Sequence, residues 1–212
     1  MTEPLPFVLL AKSTVGADGL LLSFEKRWSF RAGQAVGITS SSDIPPRLYS
    51  IVSGVGDDTL DILFTVKPDG ELTPKLADCP VGATLYLTPP QGSFIGGEGA
   101  WWIGAGTGIA PFVSMLRSGL TPRGILHGAR TRSRLYFFDE LRRVPRYVPC
   151  VSREAVPGGE PMRITDYLRK GAAPDTDVPY LVCGGTEMVL AVRDVLIERG
   201  VPFEKIVTEI YF

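Results

Sequence analysis

The residues best suited to chemistry begin with Gly104-Ala105-Gly106-Thr107-Gly108, between the apolar Trp101-Trp102-Ile103 and the segment Ala110 to Arg117. Glycines at this spacing let the backbone turn tightly, so that amides at a helix start can meet a pyrophosphate. The same pattern also suits a plain flexible turn. Downstream, His127-Gly128-Ala129-Arg130-Thr131-Arg132 carries no carboxylate where a ribose-binding acid would stand. Arg130, Arg153 and Arg163 instead offer guanidiniums, which bind a phosphate dianion through charge-assisted, often bidentate, hydrogen bonds. That chemistry favours the 2′-phosphate of NADP over the free hydroxyl of NAD. A further constellation is Arg47-Leu48-Tyr49-Ser50. Strand alternation puts Arg47 and Tyr49 on one face and Ser50 on the other. An arginine there can pair with phosphate, and a tyrosine ring can stack on a flat heterocycle.

Two regions of different rhythm must position these groups. Up to about residue 95, Phe7 to Ser13, Leu20 to Phe24, Ala35 to Thr39, Leu48 to Ser53, Leu60 to Thr65 and Thr84 to Thr88 read as strands. Six strands at short spacing predict a closed antiparallel β-barrel, interrupted by a brief helix at Leu72 to Ala77. From Ala100 onward strand and helix alternate. Strands are expected at Trp101 to Ile103, Gly124 to His127, Tyr147 to Ser152, Tyr180 to Cys183 and Lys205 to Tyr211. Helices are expected at Ala110 to Arg117, Tyr136 to Arg143, Ile164 to Lys170 and Glu187 to Arg199. That alternation predicts a Rossmann-like α/β domain with a parallel sheet wound on both faces. The Gly92 to Gly99 stretch marks the boundary, giving domains 1–95 and 96–212.

Composition narrows the classes. The 22 basic and 23 acidic residues nearly cancel, so no global field favours nucleic acid. The apolar fraction of 44% and a mean hydropathy of +0.13 suit a packed globular chain. Apolar runs are strand-length, so neither a membrane span nor a signal peptide is expected. Cys79, Cys150 and Cys183 are odd in number and lack CxxC spacing, which argues against disulfides, a metal site or an iron–sulfur cluster. A cytoplasmic protein is the expectation. The lone histidine, His127, reads as a structural residue at a strand end.

Seven motifs then occur in one order: Arg47-x-Tyr49-Ser50, Pro68 to Leu76, Pro90-Gln91-Gly92-Ser93-Phe94, Gly104-x-Gly106-x-Gly108-x-x-Pro111, Val151-Ser152-Arg153-Glu154, Cys183-Gly184-Gly185 with Met188-Val189, and Glu209-Ile210-Tyr211-Phe212. With these the chain resembles the ferredoxin–NADP reductase family over essentially its full length, and most closely the bacterial branch. The resemblance implies an FAD-containing electron-transfer oxidoreductase that moves hydride between NADPH and flavin N5. Single electrons would pass to or from ferredoxin or flavodoxin, and the chain would be a monomer. A free-flavin or ferric-siderophore reductase is the alternative.

By the same resemblance, Arg47 contacts the FAD pyrophosphate, Tyr49 packs on the isoalloxazine and Ser50 lies near N5. Gly70, Leu72 and Thr73 face the phosphates, and Leu48, Thr65 and Val66 also line the flavin. Thr107 sits where nicotinamide and flavin meet, and Cys183 lies beside the nicotinamide. Glu209 takes part in proton balance, while Tyr211 stacks on the open flavin face. Phe212, in place of the more usual Trp, packs on the adenine of a bent FAD. NADP contacts fall to Gly106, Thr107, Gly108, Arg130, Ser152, Arg153, Arg163, Cys183, Gly184 and Met188. Catalysis falls to Ser50, Cys183, Glu209 and Tyr211. Lys12, Lys26, Arg31, Lys67 and Lys75 are candidates for docking an acidic partner.

Overall fold

Alternating apolar residues bury one face of Leu5–Val15, Gly19–Glu25 and Thr84–Leu87, while Ala35–Thr39 is buried throughout, and together these strands build a barrel. A computed structural model describes residues 3–41, 44–155 and 160–211. Its contacts group Met1–Ile95 with Ala110–Gly119 in one compact unit, and Gly96–Ile109 with Leu120–Phe212 in another.

In the first unit, β1 (Leu5–Val15), β2 (Gly19–Glu25), β3 (Ala35–Thr39), β4 (Arg47–Ser50), β5 (Thr59–Thr65) and β6 (Thr84–Leu87) form one antiparallel sheet. Its order is β4-β3-β6-β1-β2-β5. An Ile51↔Ile62 bridge and a Val52 N–H to Asp61 carbonyl bond of 2.8 Å tie the two edge strands together and close the barrel. Phe7, Leu9, Leu22, Phe24, Val36, Ile38, Leu60 and Ile62 fill its interior.

The short helix α1 (Thr73–Asp78) drops Leu76 into that core. Lys12 donates to the carbonyls of Ala77 and Cys79, at 2.5 and 2.8 Å, and so caps the helix C-terminus. Helix α2 (Ala110–Arg117) joins the barrel despite its position in the chain. Every residue from Ala110 to Met115 is buried, and the Ser114 hydroxyl donates to the Ser53 carbonyl at 2.7 Å.

The second unit is a parallel sheet of β7 (Trp101–Ala105), β8 (Gly124–Ala129), β9 (Tyr147–Val151), β10 (Tyr180–Gly185) and β11 (Ile206–Tyr211), in the order β11-β10-β7-β8-β9. The chain starts in the middle and winds outward in both directions, as a doubly wound sheet does. Among the described residues, the core on one face gathers Ile103, Leu126 and Val182 under α4 (Ile164–Lys170) and α5 (Thr186–Glu198).

The helix expected over Tyr136 to Arg143 shrinks to the single turn α3 (Phe138–Leu141), preceded by a 3-10 turn at Arg132–Arg134. Burial is the reason: Leu135 and Tyr136 are 6% and 2% exposed, which takes two successive side chains inward. Phe137 then turns left-handed at φ 56°. β8 extends two residues beyond His127, so that side chain sits inside the strand and not at its end.

Arg199, just past α5, clamps the end of α4. It donates to the Leu168 carbonyl and, at 3.2 Å, to those of Arg169 and Gly171. These carbonyls have no partner within the helix, and a cation suits that end of its dipole. Arg199→Ala is expected to destabilise the chain by about 2 kcal/mol, read as a lower denaturant midpoint with unchanged slope.

Candidate functional site

In the second unit, strand order reverses between β7 and β10, the switch point at which doubly wound sheets bind ligands. The glycine turn stands there as the 3-10 segment Gly106–Ile109. A Cβ on Gly104 would lie 2.9 Å from the Gly108 carbonyl oxygen, and one on Gly108 only 2.3 Å from that of Cys183. Those two glycines let the turn lie directly on β10. Gly106 differs, with φ +56° and nothing within 4 Å of its would-be Cβ. Of the three, it alone faces open space. Thr107, half-buried, follows it.

Cys183 pairs in register with Gly104 on one side and Glu209 on the other. Its Sγ lies 3.8 Å from a Glu209 carboxylate oxygen. Burial raises the thiol pKa well above its ordinary value; a hydrogen bond with Tyr211 lowers it and the Glu209 charge raises it. Cys183 is therefore a neutral thiol at physiological pH, a polarisable donor and no thiolate nucleophile. Gly184, at φ +154°, lies against the Met188 methyl. The fold thus joins Cys183, Gly184, Met188, Glu209 and Tyr211, which the sequence spreads over 29 positions.

Further along the same sheet edge, Ser152 and Arg153 continue past β9 and bond to the carbonyls of Ala129 and Arg130, at 3.0 and 2.9 Å. Arg130 and Arg153 are thereby neighbours, both exposed. Arg163 is the residue before α4, where its N–H donates to the Asp166 carboxylate at 3.1 Å. Among the described residues, no carboxylate pairs with the guanidinium of Arg130, Arg153 or Arg163.

In the first unit, β4 carries Arg47 and Leu48, both exposed, then half-buried Tyr49 and buried Ser50. The Tyr49 ring meets Phe64 edge-on at 6.1 Å. Burial pushes its hydroxyl pKa up to about 12, against the pull of the Arg47 charge. Thr65 ends β5 and Val66 is 39% exposed. The loop after them closes on itself: Gly70 N–H donates to the Lys67 carbonyl at 2.9 Å, and the Thr73 hydroxyl accepts the Lys67 N–H at 2.9 Å. Leu72 is buried beneath it. Phe212 lies outside the described residues.

Sequence reading missed several roles. Lys12 and Lys26 commit their ammonium groups to backbone carbonyls, Lys26 to that of Val55 at 3.0 Å. His127 is fully buried and takes part in a pair with the Tyr147 hydroxyl at 2.9 Å. Their separation of 20 positions leaves no local signal for that contact. Among the described residues, no cluster of three or more His, Cys, Asp or Glu could hold a metal, and no helix is long and apolar enough to cross a membrane.

This geometry, a barrel unit followed by a doubly wound unit with a glycine turn at its switch point, is that of a nucleotide-binding oxidoreductase. A family model described as an oxidoreductase NAD-binding domain matches residues 102–194. The chain is 30% identical to a flavodoxin/ferredoxin–NADP reductase of Rhodobacter capsulatus, over 81% of this chain and 76% of that protein. It is 28% identical to a ferredoxin–NADP reductase of Pseudomonas aeruginosa, over 81% and 80%. It also matches methane monooxygenase component C of Methylosinus trichosporium at 31% identity, but spans only 39% of that protein. In structure, a ferredoxin NADP+ reductase from Neisseria gonorrhoeae with bound FAD and NADP superposes with a TM-score of 0.87, covering all of both chains at 23% identity. The chain belongs to the ferredoxin/flavodoxin–NADP reductase family.

Proposed function

We propose that the chain is an FAD-containing oxidoreductase that exchanges hydride with NADPH and single electrons with ferredoxin or flavodoxin, acting as a cytoplasmic monomer. The observation that carries this reading is the pairing, on one sheet edge, of an open glycine turn with arginines that form no ion pair among the described residues. An anion at Gly106 meets backbone rather than side chain, and a phosphate monoester near Arg130 and Arg153 meets two exposed guanidiniums.

The residues fit both groups. Tyr49 presents a half-buried ring beside the exposed Arg47, a surface for a flat heterocycle carrying phosphates. FAD held there would supply hydride acceptance and one-electron release. The chain's part is orientation and exclusion of water. Gly108 lets the turn approach β10, Cys183 offers a neutral thiol, and Glu209 holds a carboxylate beside it for proton balance. Tyr211 ends β11 and is hydrogen-bonded to Cys183, and its ring would guard a stacking site there.

Stopped-flow reduction of the purified protein by NADPH and by NADH tests the proposal. Wild type is expected to be yellow and to favour NADPH. Arg153→Ala removes charge-assisted bonds to the dianion and is expected to raise KM for NADPH about 10- to 100-fold, with little effect on NADH. A preference for NADH in the wild type would refute the NADP assignment. A colourless protein, active only on added riboflavin, would instead identify a free-flavin reductase.

A further inference from the structure

One acid stands among the arginines at the end of β9, and its contact is unexpected. Half-buried Glu154 follows Arg153 directly and has exposed Arg130 and Arg132 close by. Among the described residues it forms no ion pair with any guanidinium. Its carboxylate accepts instead the backbone N–H of Arg132, the first residue of the 3-10 turn that follows β8. Nothing local serves that amide: Thr131, the residue before the turn, caps no backbone group, and its hydroxyl lies 3.2 Å from that of Ser133.

The position of this link matters. Main-chain bonds between the β8 and β9 extensions run as far as Arg153 N–H to Arg130 carbonyl. One residue later the side chain of Glu154 takes over and ties the loop carrying Arg130 and Arg132 to the one carrying Arg153. An exposed ion pair contributes little, whereas a backbone amide that no local group serves gains an acceptor from Glu154. The acid therefore serves the backbone and not the guanidiniums.

We propose that Glu154 is a positioning residue for cofactor specificity. Resting on the NADP reading above, the assignment is that its hydrogen bond to Arg132 holds Arg130 and Arg153 at a fixed separation for the 2′-phosphate. A bidentate or shared guanidinium site depends on such pre-organisation, because loop freedom must otherwise be lost on binding. The carboxylate acts as a hydrogen-bond acceptor, and its charge is incidental.

Calorimetric titration of the purified protein with adenosine 2′,5′-bisphosphate and with AMP separates these roles. Glu154→Ala breaks the tie. Glu154→Gln keeps an acceptor oxygen and removes the charge. Glu154→Ala is expected to weaken the bisphosphate at least tenfold while changing AMP less than twofold. Glu154→Gln is expected to stay within about threefold of wild type for both ligands. Wild-type affinity in Glu154→Ala overturns the assignment. So does tighter bisphosphate binding in both variants, which would make Glu154 a repelling charge, or an equal loss for both ligands, which would make it a general structural residue. A failure of Glu154→Gln to match wild type also overturns it. If wild type itself shows no preference for the bisphosphate, the NADP reading has failed, an outcome distinct from all of these.

Discussion

Gly108→Ala is expected to destabilise the chain by about 3 kcal/mol or more, with a loss of nucleotide binding to match. The added methyl would lie 2.3 Å from the Cys183 carbonyl oxygen and 2.7 Å from the Gly184 Cα. Both are backbone atoms of a central strand, so no side-chain rotation relieves the clash. Either β10 shifts, disturbing its pairing with β7 and β11, or the glycine turn lifts from the sheet. Gly106→Ala is the matched control. Its methyl meets nothing within 4 Å, and only the left-handed φ of +56° opposes it, at a cost of about 1 kcal/mol. Guanidinium unfolding should separate the pair by at least 2 kcal/mol. Equal midpoints would mean that the turn does not rest on β10.

Acid should weaken the fold through His127. The imidazole is fully buried, and desolvation lowers its pKa from 6.5 to about 3. In the unfolded chain the ring takes a proton as pH falls below about 6.5, whereas in the native state it stays neutral down to about 3. The unfolded state therefore binds more protons across that window, and stability falls as pH falls. The slope is about 1.4 kcal/mol per pH unit, reaching about 5 kcal/mol over the whole window. Above pH 6.5 the contribution is flat. Tyr147, whose hydroxyl meets the ring, has its own pKa raised by burial and does not titrate in this range. His127→Leu leaves that hydroxyl without its partner and is expected to cost about 1–3 kcal/mol at neutral pH. The gap from wild type should then close between pH 6.5 and 4.5. Urea midpoints at several pH values would show the two lines converging. Parallel lines would mean that His127 is not the group responsible.

Much of the local structure could be read directly. Strand β3 and helices α2 and α4 lie where the sequence puts them, because apolar runs and short-range punctuation mark each one. The glycine turn and the arginines that follow β8 and β9 were visible as residue types. Their meanings were not equally visible. Gly104, Gly106 and Gly108 look alike as letters, yet two serve backbone packing and one faces open space. Lys12 reads as a surface charge and proves to be a helix cap, through contacts 65 and 67 residues away. The helix expected at Tyr136 gave way because burial of Leu135 and Tyr136 outweighed local propensity.

Local chemistry in the chain thus dictated a barrel region, a βα region and the stock of guanidinium, glycine and aromatic residues. These follow from periodicity, turn residues and charge, all of which act over a few positions. Strand order was decided by the tertiary fold, and with it the register that sets Cys183 beside Glu209 and the loop contact that sets Glu154 on Arg132. Such contacts join residues 22 or 26 apart, and only the pairing of whole strands brings them within hydrogen-bond reach.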